Sequence, residues 1–269
     1  VVLTVFLALG AWRISRARVL TRRTPAIEAL GAATVLCVDK TGTLTMNQMA
    51  VRKLFAAGEH WDVGLTPPDS LPEAFHELAE FATLASHRDT FDPMDRAIVH
   101  LSGTALSSTE HLHPDWNLVR QYPLASNLLA ISQVWSSPDG EEFVIAAKGA
   151  PEAILDLCHA ESGEILRVSA VVAELAGEGL RVLGVAKSTF HKSDLPPDQH
   201  VFEFEFLGLV ALADPVRPEV PRAMEECRQA GIRVAMITGD YAGTAASIAR
   251  EIGLPAAAVM TGPELEAMD

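Results

Sequence analysis

The segment Asp39–Thr45 carries the residue types that phosphoryl transfer requires. It reads Asp-Lys-Thr-Gly-Thr-Leu-Thr and follows the apolar run 34–38. Such a run predicts a buried parallel strand that ends at Asp39, where a carboxylate can attack a phosphoryl group and form an acyl phosphate. Lys40 and the amides of the loop can offset the charge on the phosphoryl oxygens. The alternative, a helix-capping aspartate in a threonine-rich turn, is disfavoured because the whole set follows an apolar strand in order.

A second unit of the same kind is predicted near the other end of the sequence. A helix is expected over Val220–Ala230, a strand over Ile232–Ile237 and another helix over Tyr241–Ile252. Gly231 and Gly253 are expected to close the two helices. Strand, loop and helix joined by short links predict a doubly wound α/β domain, in which ligands bind at the carboxyl ends of the strands.

The segment that begins at Asp39 resembles the phosphorylation motif of P-type ATPases, which use a haloacid-dehalogenase-like, Rossmann-like fold. The resemblance implies that Asp39 is the phosphorylated residue, with ATP and Mg²⁺ as cofactors. It also implies that Thr41 contacts the phosphate and that its carbonyl binds Mg²⁺ together with Asp39. Soluble phosphatases of the superfamily usually carry an aspartate at this position as a general acid. A threonine cannot fill that role, so the acyl phosphate is expected to be long-lived, as suits a pump.

The turn after the second predicted strand reads Met-Ile-Thr-Gly-Asp from position 236 and resembles the MITGD motif of the same family. The resemblance implies that the Thr238 hydroxyl and the Gly239 amide hold the phosphoryl group. It places Asp240 among the nucleotide-binding residues. Asp214-Pro-Val-Arg217 resembles the hinge motif DPPR, with valine in place of one proline.

The sequence between the two units has a different pattern of predicted helices and strands. This pattern predicts a mixed α/β domain inserted into the first domain. The run 201–206 reads Val-Phe-Glu-Phe-Glu-Phe and predicts a strand with one buried and one wet face. The expected helices lie around 71–101, 151–158 and 169–178, the expected strands around 143–147, 181–186 and 201–212, with loop and strand over 105–140.

The motif Lys-Gly-Ala-Pro-Glu that begins at Lys148 resembles the KGAPE motif of the family's nucleotide-binding domain. The resemblance implies that Lys148, Gly149 and Ala150 line an adenosine pocket, where the glycine allows close approach. Two lesser matches imply that Arg181 contacts nucleotide phosphate and that Asp95 lies on the adenine side. Each of those two is also compatible with an ordinary surface charge.

One stretch departs from the family pattern. Relatives of the calcium-pump type carry an adenine-stacking phenylalanine and basic residues where this chain has Leu124, Leu128 and Leu129. Weak ATP binding is therefore expected, and the variant is expected to belong to a bacterial branch of the cation pumps.

The resemblance covers essentially the whole chain and predicts its division. Residues 1–23 are expected to be the end of a transmembrane helix and a cytoplasmic stalk, 24–48 and 213–269 two parts of the phosphorylation domain, and 49–212 the nucleotide-binding domain. The family's catalytic lysine and GDGxND segment are not found before Asp269. The phosphorylation domain is therefore expected to be incomplete and the fragment inactive alone.

Composition and charge bear on two classes of partner, nucleic acids and membranes. The formal net charge is −14, although residues 1–23 hold five arginines and no acid. An acidic body repels nucleic-acid phosphate and argues against DNA or RNA as a partner. The apolar start is shorter than a membrane span, and arginines directly after it fit the cytoplasmic end of one; an amphipathic or core helix is the alternative. A bacterial plasma-membrane protein is expected, with its cation bound in membrane helices outside this sequence.

The remaining thiols and imidazoles predict little chemistry. Cys37, Cys158 and Cys227 have no pairing or metal-ligand spacing and are expected to be reduced thiols. His111 and His113 lie in a Ser/Thr-rich loop and are expected to be solvated. Two other functions stay open at this stage: a soluble dehalogenase-superfamily phosphatase or phosphotransferase, and a nucleotide-binding module without turnover.

Overall fold

The computed structural model describes residues 2–16, 19, 31–64, 68–87, 91–125, 128–138, 140–239, 242–255 and 259–266. The strands are β1 (Val35–Asp39), β2 (Ala50–Ala56), β3 (Glu59–Asp62), β4 (Asn117–Tyr122), β5 (Ala130–Ser136), β6 (Glu142–Gly149), β7 (Arg181–His191), β8 (Glu205–Ala213) and β9 (Arg233–Ile237). The helices are α1 (Val2–Arg16), α2 (His76–Leu84), α3 (Pro93–Ala105), α4 (Pro151–Leu157), α5 (Ser162–Gly177), α6 (Val220–Gln229), α7 (Ala242–Glu251) and α8 (Gly262–Glu266).

The first and last strands form a parallel pair. β1 and β9 run in register from Val35 opposite Arg233 to Asp39 opposite Ile237. Parallel strands need a crossover connection, and residues 40–232 lie between these two strands in sequence. This pair and its flanking helices α6 and α7 are called the phosphorylation unit below. The predicted parallel strands are confirmed.

The predicted burial of β1 is wrong. Val35 and Leu36 are 42% and 39% exposed, and Ile237 at the end of β9 is 61% exposed. The described part of this sheet has two strands, so an apolar run here is not covered on both faces. The buried core of the unit is a small cluster: Leu44, Val216, Val220, Ile248 and Ile252.

The segment between the parallel strands forms a second, larger sheet of seven antiparallel strands, in the order β3-β2-β8-β7-β6-β5-β4. Successive residues of β8 enter different core clusters: Val210 and Leu212 pack with helices α2 and α3, whereas Leu209 and Ala211 pack with α5. Successive side chains of a strand point to opposite faces, so helices cover this sheet on both sides. We call this region the inserted domain.

The inserted domain begins and ends at neighbouring points. Ala50, the first residue of β2, lies opposite Ala213, the last residue of β8. The chain therefore leaves the phosphorylation unit and returns to it side by side, as an insertion requires. The predicted fold class, an α/β phosphorylation domain with an inserted mixed α/β domain, is confirmed.

Two element boundaries differ from expectation. Helix α5 begins at Ser162 rather than near residue 169, and its first turns carry the exposed apolar residues Ile165 and Leu166, which hid the helical pattern. Strand β8 begins only at Glu205. Phe202 and Phe204 are buried as the alternation predicted, but a short helical turn precedes them and they lie outside the strand.

Helix α1 has exposed apolar side chains, among them Val5, Phe6, Leu9 and Trp12. None of the helices formed by the described residues is long and apolar enough to cross a bilayer. Arg18, Arg22 and Arg23 of the expected stalk lie outside the described residues.

The cysteines and the two loop histidines lie in different surroundings. The three cysteines are free, and burial raises the pKa of Cys158 to about 12. The expected solvation of His111 and His113 is wrong, because their side chains are only 19% and 17% exposed and both contact Glu80. Long-range contacts of this kind leave no local signal in the sequence.

Candidate active site

Asp39 and Thr238 come to the same edge of the parallel pair. Asp39 is the last residue of β1 and lies opposite Ile237, the residue just before Thr238. Because the strands are parallel, their carboxyl ends lie at the same edge of the sheet. Asp39 is exposed, so its carboxylate is accessible to a ligand.

The loop after Asp39 is a wide turn that is stabilised by a hydrogen bond within its own backbone. The N–H of Thr45 donates to the carbonyl of Lys40 at 3.0 Å, and Gly42 has a φ of +76°. This conformation favours glycine, because a side chain at positive φ is strained. The turn places the buried Lys40 and the exposed Thr41 at the carboxyl edge of β1.

The residues of the predicted hinge brace this loop directly. The hydroxyl of Thr45 donates to Asp214 Oδ2 at 2.6 Å, and Asp214 Oδ1 accepts the N–H of Gln48 at 3.0 Å. Arg217 donates from its guanidinium to the Gly42 carbonyl at 2.9 Å. The two chain segments that connect the unit with the inserted domain are thereby tied to each other and to the phosphorylation loop.

A cleft of about 600 Å³ lies between the loop and the inserted domain. Five residues predicted for the site line it: Lys40, Thr41, Arg181, Asp214 and Gly239. Gly179 at the far wall contacts helix α7, and Ser247 of that helix donates to the Glu178 carbonyl at 2.5 Å. The cleft thus joins a cation of the inserted domain, Arg181, with the edge that carries Asp39.

A second cavity, of about 450 Å³, lies within the inserted domain. Its lining includes the predicted residues Asp95, Lys148, Gly149 and Ala150. Gly149 has no room for a side chain, since an added Cβ would lie 2.2 Å from the Leu129 carbonyl oxygen. The missing side chain of Gly149 therefore lets the end of β6 approach the chain at Leu129 and Ala130, where β5 begins.

Lys148 and Asp95 form a buried ion pair in this cavity, and the Lys148 ammonium also donates to Ser86 Oγ at 2.6 Å. Burial lowers the pKa of Lys148, and the carboxylate of Asp95 opposes that shift. Burial alone would raise the pKa of Asp95, but the Lys148 charge and hydrogen bonds from Lys148 and His87 hold it below its ordinary value. The shift of the Asp95 pKa favours its ionised form, which is the form that pairs with the Lys148 ammonium.

The cavity and the cleft adjoin. Asp92 and Met94 line both of them. Asp92 is also the N-cap of helix α3, where its carboxylate accepts the Met94 N–H at 2.7 Å. An elongated ligand can therefore extend from the apolar cavity, past the start of α3, into the polar cleft.

A family model for haloacid dehalogenase-like hydrolases matches residues 33–261. The chain belongs to this family. It is similar to the probable cation-transporting ATPase F of Mycobacterium tuberculosis, with 35% identity over 98% of this chain and 34% of the relative. It is also similar to the cation-transporting ATPase pma1 of Synechocystis, with 32% identity over 95% of the chain and 32% of the relative. A third relative is the sodium/potassium exporting P-type ATPase cta3 of Schizosaccharomyces pombe, with 31% identity over 94% of this chain and 30% of the relative.

The resemblance to P-type ATPases is confirmed by these matches. The chain spans about a third of the length of the relatives it matches. A hard cation such as Mg²⁺ is bound by oxygen ligands. Asp39 and the Thr41 carbonyl offer two at the strand edge, and Mg²⁺ is commonly held by one or two carboxylates together with substrate phosphates. The donor set fits Mg²⁺.

The sequence missed several residues of this dehalogenase-like site. Phe91 is 98% exposed and lines the cavity beside His87. Its position directly before the Asp-Pro pair at 92–93 was the available signal. Of the three leucines that replace the expected aromatic and basic residues, Leu124 and Leu129 line the cavity, whereas Leu128 is buried in the core. Asp240 lies outside the described residues.

Proposed function

We propose that the chain is the ATP-binding and phosphorylation region of a cation-transporting P-type ATPase, in which ATP phosphorylates Asp39. The observation that carries the proposal is the continuity of the apolar cavity with the polar cleft through Asp92 and Met94. One end suits a nucleoside and the other suits phosphates, in the direction of Asp39. The ATPase names of the relatives support the same assignment.

The adenosine part of ATP would occupy the cavity of the inserted domain. Its lining is largely apolar, with the charged pair Lys148–Asp95 at its base and Phe91, Leu124 and Leu129 among its walls. Phe91 offers an exposed phenyl ring to this cavity, and ring stacking on a base contributes about 1–3 kcal/mol in comparable sites. We assign to Phe91 the stacking contact that Leu124 cannot make.

The phosphates would extend into the cleft, where Arg181 approaches from β7 and Lys40 from the loop. The Asp39 carboxylate then attacks the γ-phosphorus, the bond from that phosphorus to the bridging oxygen breaks, and ADP leaves with the bond's electron pair. The attacking group is a carboxylate oxygen, so this step forms an acyl phosphate without a proton transfer. Thr238 and Gly239 are placed in this proposal to hold the transferred group. Mg²⁺ on Asp39 and the Thr41 carbonyl would offset phosphate charge.

The inserted domain must deliver the γ-phosphate to a residue on the other unit. The two connecting segments lie side by side and are fastened by Asp214 and Arg217 to the phosphorylation loop. We propose that they act as a hinge, since few residues at element ends can absorb such a rotation. The hinge contacts would keep the loop's shape while the domain moves.

The membrane part of the function rests on α1 and on the relatives. The exposed apolar side chains of α1 and the arginines after it fit the cytoplasmic end of a transmembrane helix. We propose a bacterial plasma-membrane pump whose cation is bound in helices outside this sequence, with this region in the cytoplasm.

The test is to label the full-length protein with ATP carrying a radioactive γ-phosphate. We expect an acid-stable, hydroxylamine-sensitive label on the wild type and none on Asp39→Asn, which keeps the shape but is no nucleophile. Rapid turnover of simple phosphoesters would favour a phosphatase instead. ATP binding with no label in the full-length wild type would reduce the function to nucleotide binding, and a label that persists in Asp39→Asn would remove Asp39 as the acceptor.

A further inference from the structure

Histidines and glutamates gather at the start of α2, outside the residues that line the cavity and the cleft. The group combines the short turn before α2, α2 itself and the loop after α3. Its members are Glu73, His76, Glu80, His111 and His113. One oxygen of Glu73 and one ring nitrogen of each of His76 and His111 lie within 4.8 Å of one another.

His76 is held in a tautomer that leaves one nitrogen available. Its Nε2 lies 2.8 Å from the Leu71 carbonyl oxygen. A carbonyl can only accept, so Nε2 carries the proton, and in the neutral ring Nδ1 has a lone pair. That Nδ1 lies 3.2 Å from Glu73 Oε2. A histidine whose second ring nitrogen donates to a backbone carbonyl has the usual arrangement of a metal ligand.

His111 is oriented in the complementary way. Its Nδ1 lies 2.5 Å from Glu80 Oε2, and a carboxylate accepts this hydrogen bond. The other carboxylate oxygen, Oε1, lies 2.7 Å from His113 Nε2. Glu80 therefore fixes the His111 ring and leaves its Nε2 as the nitrogen that can bind an ion. Carboxylate, histidine and metal in this sequence form a known stabilising triad.

We propose that Glu73, His76 and His111 bind a divalent transition-metal ion of the Zn²⁺ type. Two imidazoles and one carboxylate suit Zn²⁺, which takes ligands at about 2.0–2.2 Å and keeps a fourth position for water. Ligands at that distance from a tetrahedral ion lie about 3.4 Å apart, close to the 3.2 Å between His76 Nδ1 and Glu73. Rotation of the Glu73 side chain, which is 87% exposed, can adjust the remaining geometry.

The bound ion links two segments that are distant in sequence. Glu73 and His76 lie at the start of α2, and His111 lies in the loop between α3 and β4. A ligand that binds only the folded state stabilises it by mass action. Zn²⁺ is therefore expected to raise the thermal stability of the inserted domain.

The test is calorimetric titration of the metal-free 269-residue chain with Zn²⁺ alone, in the presence of a weak competing chelator. We expect one saturable site on the wild type, no comparable binding of Mg²⁺ or Ca²⁺, and a higher melting temperature with Zn²⁺. Glu73→Gln, in an exposed side chain that folding does not need, is expected to weaken binding more than about tenfold, as is His76→Gln, whose amide can still donate to Leu71. Glu80→Gln, which alters a side chain that positions His111 without being one of the three proposed ligands, is expected to weaken Zn²⁺ binding about 10–100-fold.

The matched control is His191→Gln, which removes an exposed histidine whose Nδ1 lies 3.0 Å from a single glutamate, Glu142. It is expected to leave the Zn²⁺ affinity and the melting shift unchanged. Circular dichroism of each variant checks its fold. The proposal is overturned if the wild type binds no Zn²⁺ at a saturable site, or if Glu73→Gln and His76→Gln fold and bind it as tightly as the wild type does.

Discussion

Apolar side chains are more deeply buried in the inserted domain than in the two strands of the phosphorylation unit. In the inserted domain, helices cover both faces of a seven-stranded sheet, and Leu54, Ile145 and Leu209 are almost inaccessible to solvent. In the phosphorylation unit, β1 ends at Asp39 and β9 ends just before Thr238, and these strands leave Val35 and Ile237 exposed. The proposed phosphoryl transfer thus takes place on the less buried phosphorylation unit, whereas the proposed nucleotide-binding cavity lies in the well-packed inserted domain.

The two regions also use their charges differently. The inserted domain has a buried ion pair, Lys148–Asp95, inside a largely apolar cavity, where the loss of one partner lowers the stability strongly. The phosphorylation unit uses partly exposed polar contacts, Thr45–Asp214 and Arg217–Gly42, to hold a loop in shape. Stability in one region therefore depends on packing, and in the other on hydrogen bonds across the hinge.

The largest expected contrast is in hydrogen exchange. The amides of β6 and β7 should exchange only through global opening of the inserted domain, at a free energy of about 5–15 kcal/mol. The amides of β1 and β9 should exchange several kcal/mol more easily, since two strands bury little apolar surface. Exchange followed by mass spectrometry checks this. Equal protection of the two pairs of strands would contradict the comparison.

The buried ion pair gives the next largest effect. Lys148→Met should lower the free energy of unfolding of the inserted domain by about 3–5 kcal/mol, because the Asp95 carboxylate is left buried without its cation. The control is Lys53→Met, which removes a partly exposed pair with Glu178 and should cost about 0–1 kcal/mol. Denaturant unfolding measures both. Similar small losses would mean that Asp95 reaches solvent.

A smaller and local effect is expected at the hinge. Thr45→Val keeps the shape of the side chain but removes the hydrogen bond to Asp214, which should cost about 1.5–3 kcal/mol. The loss should appear as faster exchange in β1 and β9, with β6 and β7 unchanged. The exposed Thr43→Val serves as the control and should change neither region. A loss of protection spread evenly over both regions would show that the hinge contacts stabilise the whole chain.

The sequence predicted what local patterns can encode. The strands that carry Asp39 and Thr238 were predicted because an apolar run followed by small and hydroxyl residues predicts a strand that delivers a side chain. The burial of β1 was mispredicted because an apolar strand is buried only when other elements cover it. The separation of Leu128 from Leu124 and Leu129 depends on where β5 begins, which no periodicity in that stretch indicates.

Contacts between distant positions were beyond the sequence. Lys148 and Asp95 were each assigned to the nucleotide, but their mutual ion pair depends on how β6 and α3 pack. The bracing of the phosphorylation loop by Asp214 and Arg217 depends on the return of the chain beside its exit point. The histidine cluster has the same origin, since its members come from α2 and from the loop after α3.

The central claim is that one ATP molecule spans the cavity and the cleft. Titration of the 269-residue chain with ATP and with adenosine, in wild type, Phe91→Ala and Arg181→Ala, tests it most directly. Phe91→Ala should weaken the binding of ATP and of adenosine equally, by about 1–3 kcal/mol in binding free energy. Arg181→Ala should weaken ATP by about 1.5–3 kcal/mol and leave adenosine unchanged. If Arg181→Ala weakens both ligands equally, or neither, ATP does not reach from the cavity into the cleft.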